Sequence, residues 1–320
     1  MKKIAIIVLL VIVTASITGC GKSDNENTLG KHKDNAQQIE DATNEEDNKD
    51  DAEIGQDKSN AEMETYDNSS ATPADQLRYS VDETEVTILG LSNTFTGTEL
   101  IIPYTIEGKP VTKIEYTAFE DCTQLEKVVM PNSITDLSNG QIFLECSNLK
   151  SVVLSENLTS IPSCMFMYCS SLNDIRIPEG IETIGERAFF QCSSLTDIEL
   201  PEGVVTIREN AFAYCSSLTN IKLPSTLTKI GCTAFEDCIS LKNIELPDSI
   251  TFMDVCVFQD CTSLESIVIP KSMEKIPAGM FMNCTSLSDV TIPDNIVSIG
   301  TNAFLNTPWG EANGSSGENR

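Results

Sequence analysis

Cysteine is the residue of this chain best suited to chemistry, because a thiolate can act as a nucleophile, a metal ligand or half of a disulfide. Of the twelve cysteines, eight recur at one point of a repeat, three residues after a phenylalanine. These are Cys122, Cys146, Cys169, Cys192, Cys215, Cys238, Cys261 and Cys284. No cysteine belongs to a Cys-x-x-Cys pair, so the spacing does not favour a zinc or iron–sulfur site.

We expect these eight cysteines to form a buried ladder of reduced thiols. Repeats stacked in register present equivalent side chains in parallel, and their Cβ vectors then do not point at one another as a disulfide requires. Reduced thiols outside the cell fit a reducing or anaerobic habitat. Cys164, Cys232 and Cys256 lie off the ladder, and a disulfide between Cys232 and Cys256 in neighbouring coils stays an open alternative.

Cys20 differs from the other cysteines because it ends a targeting segment. Two lysines precede an apolar run from Ile4 to Val13, and Ile17-Thr18-Gly19-Cys20 follows, which resembles a bacterial lipobox. The resemblance implies a lipoprotein signal peptide over residues 1–20, lipidation of Cys20, and an extracytoplasmic protein anchored to the cell membrane or cell surface. A cleaved secretory signal with a chance cysteine is the alternative, and the number of host membranes stays open.

Catalysis and bound cofactors are not expected. The single histidine, His32, lies in a polar segment, and the chain offers no phosphate loop and no nucleophile–histidine pair. Oxygen ligands recur on successive repeats at Asp174, Asp197, Asn220 and Asn243, which would suit calcium-assisted binding. The same residues suit ordinary exposed strands, so we predict no metal site and leave the calcium requirement open.

A repeat of 23 residues must position all of these side chains. Its phenylalanines are Phe143, Phe166, Phe189, Phe212, Phe235, Phe258, Phe281 and Phe304. Phe119 precedes the first of these by one residue more than the repeat length. Each repeat continues with a unit such as Leu195-Thr-Asp-Ile198-Glu-Leu200, whose alternation predicts a strand that a proline usually ends. One repeat is too small to bury its own apolar face, so the repeats must stack. The prediction is a repeat solenoid of 23-residue coils with parallel β-strands stacked in register, mostly β with short turns or helical pieces.

The repeat resembles the BspA-like class of leucine-rich repeats, whose signature is Ala-Phe, a following Cys, Leu and an apolar-Pro strand end. The resemblance spans Tyr79 to Trp309, and Tyr79–Ile88 with Gly108–Val111 is similar to the opening hairpin and first coil of that class. Ser155 replaces a strand-end proline, and Pro162, Arg208, Asp254 and Pro277 replace the usual glycine, so we expect those turns to differ. The class implies an exported recognition or adhesion module and leaves the ligand unidentified.

The chain divides into four predicted parts. Residues 1–20 are the signal peptide, and residues 21–78, poor in large apolar side chains, form a disordered acidic tether. Residues 79–309 form the leucine-rich-repeat solenoid with an N-terminal β-hairpin cap, and residues 310–320 a disordered tail. The net charge of −27 disfavours nucleic acid and suits basic or neutral partners. We expect a monomer.

A break in the repeat pattern gives the candidate binding residues. The position after the repeat phenylalanine is polar at Glu120, Glu236 and Gln259. In four consecutive coils it is apolar, with two tyrosines one residue further on: Leu144, Met167, Tyr168, Phe190, Ala213 and Tyr214. We call these six residues the turn-side stripe and predict that they contact a protein or glycan. The alternative is that the turn tucks them beneath the next coil.

A second, smaller candidate is Ile101, Val129 and Val153 on the strand face, which we expect the N-terminal cap to cover. The predicted function is therefore a membrane-anchored surface lipoprotein that presents a leucine-rich-repeat solenoid for protein or glycan recognition or adhesion. The alternative is a passive structural envelope lipoprotein without a specific ligand, which would need no exposed apolar patch.

Overall fold

The computed structural model describes residues 68–314, and these form the predicted solenoid of stacked 23-residue coils with parallel strands. The fold prediction is confirmed. The predicted signal peptide with Cys20 and the greater part of the tether lie outside the described residues. Within residues 68–314, no helix is both long enough and apolar enough to cross a membrane.

A small mixed sheet opens the solenoid. After a 3-10 helix at Ala74–Gln76, strands β1 (Leu77–Val81) and β2 (Val86–Leu91) form an antiparallel hairpin. Strand β2 pairs in parallel with β5 (Lys109–Ile114), which also carries the short antiparallel β4 (Thr105–Ile106). The hairpin is therefore joined to the first coil by hydrogen bonds between strands.

Described residues before the boundary predicted at Tyr79 also contact the first coil. Thr72 is buried, its N–H donates to the Ile101 carbonyl at 2.8 Å, and its hydroxyl accepts from the Ile101 N–H at 3.0 Å. Tether residues 68–78 are thus held by polar contacts to the first coil, which a hydropathy pattern does not reveal. Of the smaller apolar candidate, Ile101 is therefore contacted by Thr72 of the predicted tether.

Described residues beyond the predicted start of the tail at residue 310 belong to a short helix. Helix α1 (Pro308–Ala312) follows the last coil, and the Thr307 hydroxyl accepts from the Gly310 N–H at 2.9 Å at its N-terminus. The Trp309 ring lies 4.4 Å from that of Phe304, measured between centroids. The helix thereby covers the end of the core, whose apolar face has no following coil.

The first parallel ladder consists of the strands predicted from the Leu-x-x-(Val/Ile) units. They are β3 (Glu99–Ile101), β6 (Lys127–Val129), β7 (Ser151–Val153), β9 (Asp174–Ile175), β11 (Asp197–Glu199), β13 (Asn220–Lys222), β16 (Ser266–Val268) and β18 (Asp289–Thr291). In β11 the central Ile198 is buried while its neighbours Asp197 and Glu199 are exposed, as the alternation predicts. Ile198 lies beside Ile221 of β13 in register.

A second parallel ladder runs along the other strand side of the coils. Its two-residue strands are β8 (Ser160–Ile161), β10 (Thr183–Ile184), β12 (Thr206–Ile207), β14 (Lys229–Ile230), β15 (Phe252–Met253), β17 (Lys275–Ile276) and β19 (Ser298–Ile299). The order is β15-β14-β12-β10-β8 in one sheet and β17-β19 in another. Pro277, one of the residues that replace the usual glycine, follows directly after β17.

The third side of each coil is a turn that carries the core phenylalanines. All nine rings are at most 1 % exposed, and neighbouring rings lie 5.2 to 5.7 Å apart between centroids in stacked geometry. We call this stack the phenylalanine ladder. It continues through every coil, so each ring is covered by the coils on both sides except at the ends.

In most coils two residues adopt left-handed backbone on the turn side, and most of these are not glycine. In one coil these are Arg187 (φ 54°) and Gln191 (φ 58°). Such backbone costs a non-glycine residue about 1 kcal/mol or more. The left-handed backbone points the N–H groups of these residues towards the next coil. The Arg187 N–H donates to the Glu209 carbonyl at 3.0 Å, and the Gln191 N–H donates to the Ala213 carbonyl at 2.9 Å. These hydrogen bonds between coils offset the strain.

Candidate functional site

The turn-side stripe lies on consecutive coils, as predicted, and five of its six residues are half-buried: Leu144, Met167, Tyr168, Phe190 and Tyr214. Ala213 is completely buried, so it supports the stripe from below and offers no contact surface. Partial burial holds the five larger side chains in place while leaving part of each in contact with solvent.

Three rings form a continuous row within the stripe. Phe190 lies between the two tyrosines, 5.6 Å from Tyr168 in an edge-on contact and 5.2 Å from Tyr214 in a tilted one, between centroids. We call Tyr168, Phe190 and Tyr214 the aromatic row. Both tyrosines occupy left-handed positions, and their N–H groups donate to the next coil, Tyr168 to the Phe190 carbonyl at 2.8 Å. The backbone bonding of the turns therefore fixes the spacing of the rings.

An acidic cluster follows the aromatic row on the next two coils. The carboxylate oxygens of Glu236, Asp237 and Asp260 lie within 4.8 Å of one another, and all three residues are half-buried. The Gln259 amide donates to Glu236 at 3.3 Å and to Asp260 at 2.9 Å, and the Asn283 amide donates to Asp260 at 2.8 Å. Carboxylates at this spacing could ligate a hard divalent cation, although amide donors already occupy two of them.

Sequence reasoning did not find this cluster. Asp237 and Asp260 are separated by one repeat of 23 residues, and Glu236 precedes Asp237 directly. That spacing alone places the two aspartates side by side on adjacent coils once the register of the turns is known. The 23-residue period would therefore have revealed the cluster if it had been applied to carboxylates as well as to apolar residues.

Burial and mutual repulsion shift the protonation of the cluster. Burial, followed by the charges of Asp237 and Asp260, raises the pKa of the Glu236 carboxyl to about 7. Burial and the charge of Asp260 raise the pKa of Asp237 as well. The pKa of the Tyr214 hydroxyl is also raised, by its burial and then by Glu236. At the Tyr214 end of the aromatic row, three half-buried carboxyl groups therefore lie close together and repel one another when they are ionised.

The shift at Glu236 predicts a pH dependence of stability. The folded chain holds this proton more tightly than the unfolded chain, so stability falls as the pH rises from about 4.5 towards about 7. Glu236→Gln should therefore be more stable than the wild type near pH 8 and gain nothing near pH 4, in urea unfolding at both pH values. Exposed Glu245→Gln is the matched control. Equal pH dependence of wild type and Glu236→Gln would contradict the assigned burial of this carboxyl.

The predicted thiol ladder lies beneath these side chains. Seven of its members are completely buried, Cys146, Cys169, Cys192, Cys215, Cys238, Cys261 and Cys284, while Cys122 in the first coil is half-buried. Each buried sulfhydryl donates to the carbonyl of the ladder phenylalanine in the preceding coil, at 3.0 to 3.2 Å. The thiols thereby help to hold successive coils together. Every cysteine among residues 68–314 is a thiol, Cys232 and Cys256 included.

The oxygen ligands of the first ladder are engaged in ordinary polar contacts. Asp174 accepts from the Ser151 hydroxyl at 2.7 Å, and Asn243 accepts from the Ser266 hydroxyl at 3.1 Å. Asp197 and Asn220 are exposed on neighbouring strands. Cross-strand pairs of this kind stabilise the register by about 0.2–1 kcal/mol each.

Comparison with known proteins places this geometry in context. Residues 91–219 and 205–316 match the model of the BspA type leucine rich repeat region, in six copies. A leucine-rich repeat protein of T. pallidum is 26% identical, with 75% of this chain and 90% of that chain covered and a TM-score of 0.43. A leucine rich cell surface protein of Faecalibacterium prausnitzii is 22% identical over 77% and 94%, with a TM-score of 0.37. No curated protein matches the chain.

Proposed function

Because the chain belongs to the family of proteins with BspA-type leucine-rich repeats, we propose that it is a cell-surface recognition module that binds a protein partner. The observation that carries the proposal is the aromatic row, three rings held in register on consecutive coils and half-exposed to solvent. Aromatic side chains fixed in this way contribute large contact areas at low entropic cost, and they dominate the affinity of protein interfaces.

The charges around the row define the chemistry of the partner. The acidic cluster adjoins Tyr214, whose pKa is raised by Glu236, Asp237 and Asp260 in addition to its burial. At the other end, Glu145 is exposed beside Leu144. A partner segment that combines apolar or aromatic side chains with lysine or arginine would match both features. Such a segment would also relieve the repulsion among the three carboxylates.

A passive envelope lipoprotein remains the competing function. It would gain nothing from three rings on consecutive turns, at a position that is polar at Glu120 and Gln259 and apolar but not aromatic at Met282 and Leu305. The aromatic row is therefore the feature that favours a recognition function over a purely structural one. Catalysis has no support from this surface, since its carboxylates lie beside amide donors and rings, without a nucleophile–base pair.

Anchoring at Cys20 is part of the same proposal. The lipobox-like Ile17-Thr18-Gly19-Cys20 supports lipidation of Cys20, which would hold the solenoid outside the cell membrane at the end of an acidic tether. Cells given a labelled fatty acid should label the wild-type chain and not Cys20→Ala, which should be released or stay as precursor. Unchanged labelling of that variant would rule out this cysteine as the anchor.

Replacing Met167 and Phe190 together with Glu tests the recognition surface. The probe is a fluorescent peptide of alternating lysine and phenylalanine, and its counterpart has glutamate in place of lysine. We expect the full chain to bind the first peptide in preference to the second, and the double variant to bind it at least about tenfold more weakly, because it loses two apolar contacts.

Leu305→Glu is the matched control, since Leu305 follows ladder residue Phe304 at the same half-buried position, two coils beyond Asp260 of the acidic cluster. Its binding should equal that of the wild type. Thermal unfolding separates the outcomes. Lost binding with an unchanged melting temperature supports the proposal, whereas a double variant that melts far below Leu305→Glu would show that the stripe is core and would refute it.

A further inference from the structure

The second ladder is interrupted between β15 and β17, and a proline causes the interruption. In the coils without proline at this point, the residue after the second strand donates its N–H to the preceding coil, as Gly231 does to the Ile207 carbonyl at 2.8 Å and Asp254 to the Ile230 carbonyl at 3.0 Å. Pro277 has no N–H, so the equivalent bond to the Met253 carbonyl cannot form. The sheet ends at β15, and a new one begins at β17.

A groove of about 610 Å³ lies at this interruption. Thr251, Phe252 and Met253 line one wall, and Glu274, Lys275 and Pro277 are among the residues that line the other. A groove of this size accommodates one or two sugar rings or a comparable small ligand. It lies on the second-ladder side of the coils, whereas the aromatic row lies on the turns, so the two surfaces are separate.

Phe252 is the unusual residue of this groove. The outward position of the second ladder is small and hydroxylated or basic in the other coils, at Ser160, Thr183, Thr206, Lys229, Lys275 and Ser298. Phe252 holds that position in β15 and is 50% exposed. Half of this ring is in contact with water on a strand row that is otherwise polar. The ring face is therefore available to a flat apolar surface of a ligand.

Two lysines flank this ring on an otherwise acidic protein. Lys229 of β14 lies beside Phe252 in register, and Lys275 occupies the same position in the next coil. Both are exposed, and among residues 68–314 neither forms an ion pair, unlike Lys222 with Glu199 or Lys150 with Glu126. Paired strands of adjacent coils are about 4.8 Å apart, so two lysine positions two coils apart are separated by at least roughly 10 Å along the row.

Glu274 restricts the kind of anion that fits. Its carboxylate lines the same groove, where it would repel a ligand with a phosphate on every unit and would accept hydrogen bonds from hydroxyl groups. Thr251 and Ser298 add hydroxyls to the lining. The groove thus combines a ring, spaced cations, and acceptors for hydroxyl donors. These are the groups that recognise a sugar with an occasional carboxylate.

We propose that this groove binds an acidic oligosaccharide. A sugar ring stacks its apolar face on Phe252, carboxylates of the chain pair with Lys229 and Lys275, and ring hydroxyls donate to Glu274. The spacing of the lysines corresponds to about two linked pyranose rings. This site goes beyond the proposed protein partner, and the protein would then recognise partners of opposite charge on two different sides of its coils.

Binding of a trisaccharide with glucuronic acid at both ends and N-acetylglucosamine between them to the full chain, measured by calorimetry, tests this site. The methyl ester of the same trisaccharide is the uncharged probe. We expect the acid to bind, the ester to bind at least about tenfold more weakly, and added salt to weaken only the acid. Phe252→Ser should weaken both probes about tenfold. The double variant Lys229→Gln/Lys275→Gln should bind acid and ester equally.

Val297→Ser is the matched control, because Val297 is an exposed apolar residue of the same sheet side, two coils further on. It should bind the acid as the wild type does. Binding that persists in Phe252→Ser would overturn the assignment of the ring. Tighter binding of single-stranded oligothymidylate or of a polyglutamate peptide than of the trisaccharide would overturn the choice of a sugar as ligand.

Discussion

In the native protein, iodoacetamide near pH 8 should label Cys122, Cys164, Cys232 and Cys256 and leave the seven buried thiols of the ladder unlabelled. The four expected to react are half-buried. The seven expected to be protected are completely buried. After unfolding in guanidinium, all of these cysteines should react. The difference between the two sets is the largest effect that the structure predicts.

Two physical causes add up in this protection. Burial raises the pKa of the Cys146, Cys215 and Cys284 thiols to about 12. From the ordinary value of 9.0, such a shift lowers the fraction of reactive thiolate on the order of a thousandfold at a given pH. The reagent also cannot reach a sulfur that is covered by coils on both sides. Reaction therefore requires local opening, whose rate should fall from the ends of the solenoid towards its centre.

The position of labelling, read by mass spectrometry of tryptic peptides, checks this prediction. Cys284 in the last complete coil should react before Cys215 in the centre. Fast labelling of Cys192 or Cys215 in the native chain would contradict the buried ladder. A disulfide between Cys232 and Cys256 would appear as two thiols that react only after reduction, contrary to the thiols in the structure.

Phe212→Ala should destabilise the solenoid by about 3–5 kcal/mol. The ring is completely buried and stacked between Phe189 at 5.2 Å and Phe235 at 5.5 Å, between centroids. Its removal leaves a cavity that neither neighbour can fill, because each is held by its own coil. Repeat proteins derive stability from contacts between adjacent units, so a central change weakens two interfaces at once.

Urea unfolding followed by circular dichroism measures this loss. Thr219→Ala is the control, since Thr219 is exposed and its hydroxyl only donates to the Thr196 carbonyl at 3.1 Å. That variant should change the free energy of unfolding by less than about 1 kcal/mol. Similar losses in the two variants would mean that the register of the coils is wrong.

The parts of the fold that repeat could be predicted because stacking imposes the same demand on every coil. Phe212, Cys215 and Leu218 recur at fixed spacing, and each is completely buried. The second ladder was visible only as an apolar pair, since a strand of two residues such as Thr183–Ile184 has too few positions to show alternation. The pairing of these strands depends on the register between coils, and the sequence of a single coil does not show that register.

Other features depended on contacts that the residue types do not reveal. The left-handed residues of the turns, such as Arg187, lack the glycine that usually marks this backbone. Polar residues near Thr72 are ordered by hydrogen bonds to the first coil and not by apolar burial. Both follow from tertiary bonding, which overrides local preference.

The candidate site was predicted in part, for the same reason. The period placed Met167, Phe190 and the two tyrosines on one side, but it could not show that Ala213 lies beneath them. It also identified Pro277 as a departure without showing that the missing N–H opens a groove. Where the side chains of a turn lie depends on the register of the neighbouring coils, which the sequence of one coil does not show.

Hydroxyl-radical footprinting of the full chain, with and without the lysine–phenylalanine peptide, tests the recognition surface most directly. Tyr168, Phe190 and Tyr214 should lose radical oxidation when the peptide binds, and oxidation of Tyr104 and Tyr116, which are 49% and 47% exposed, should not change. The comparison uses one native molecule, so a loss of folding cannot imitate the result. Protection confined to the aromatic row and its neighbours is the result that we expect. Peptide binding that leaves oxidation of all three rings unchanged would contradict recognition through the aromatic row.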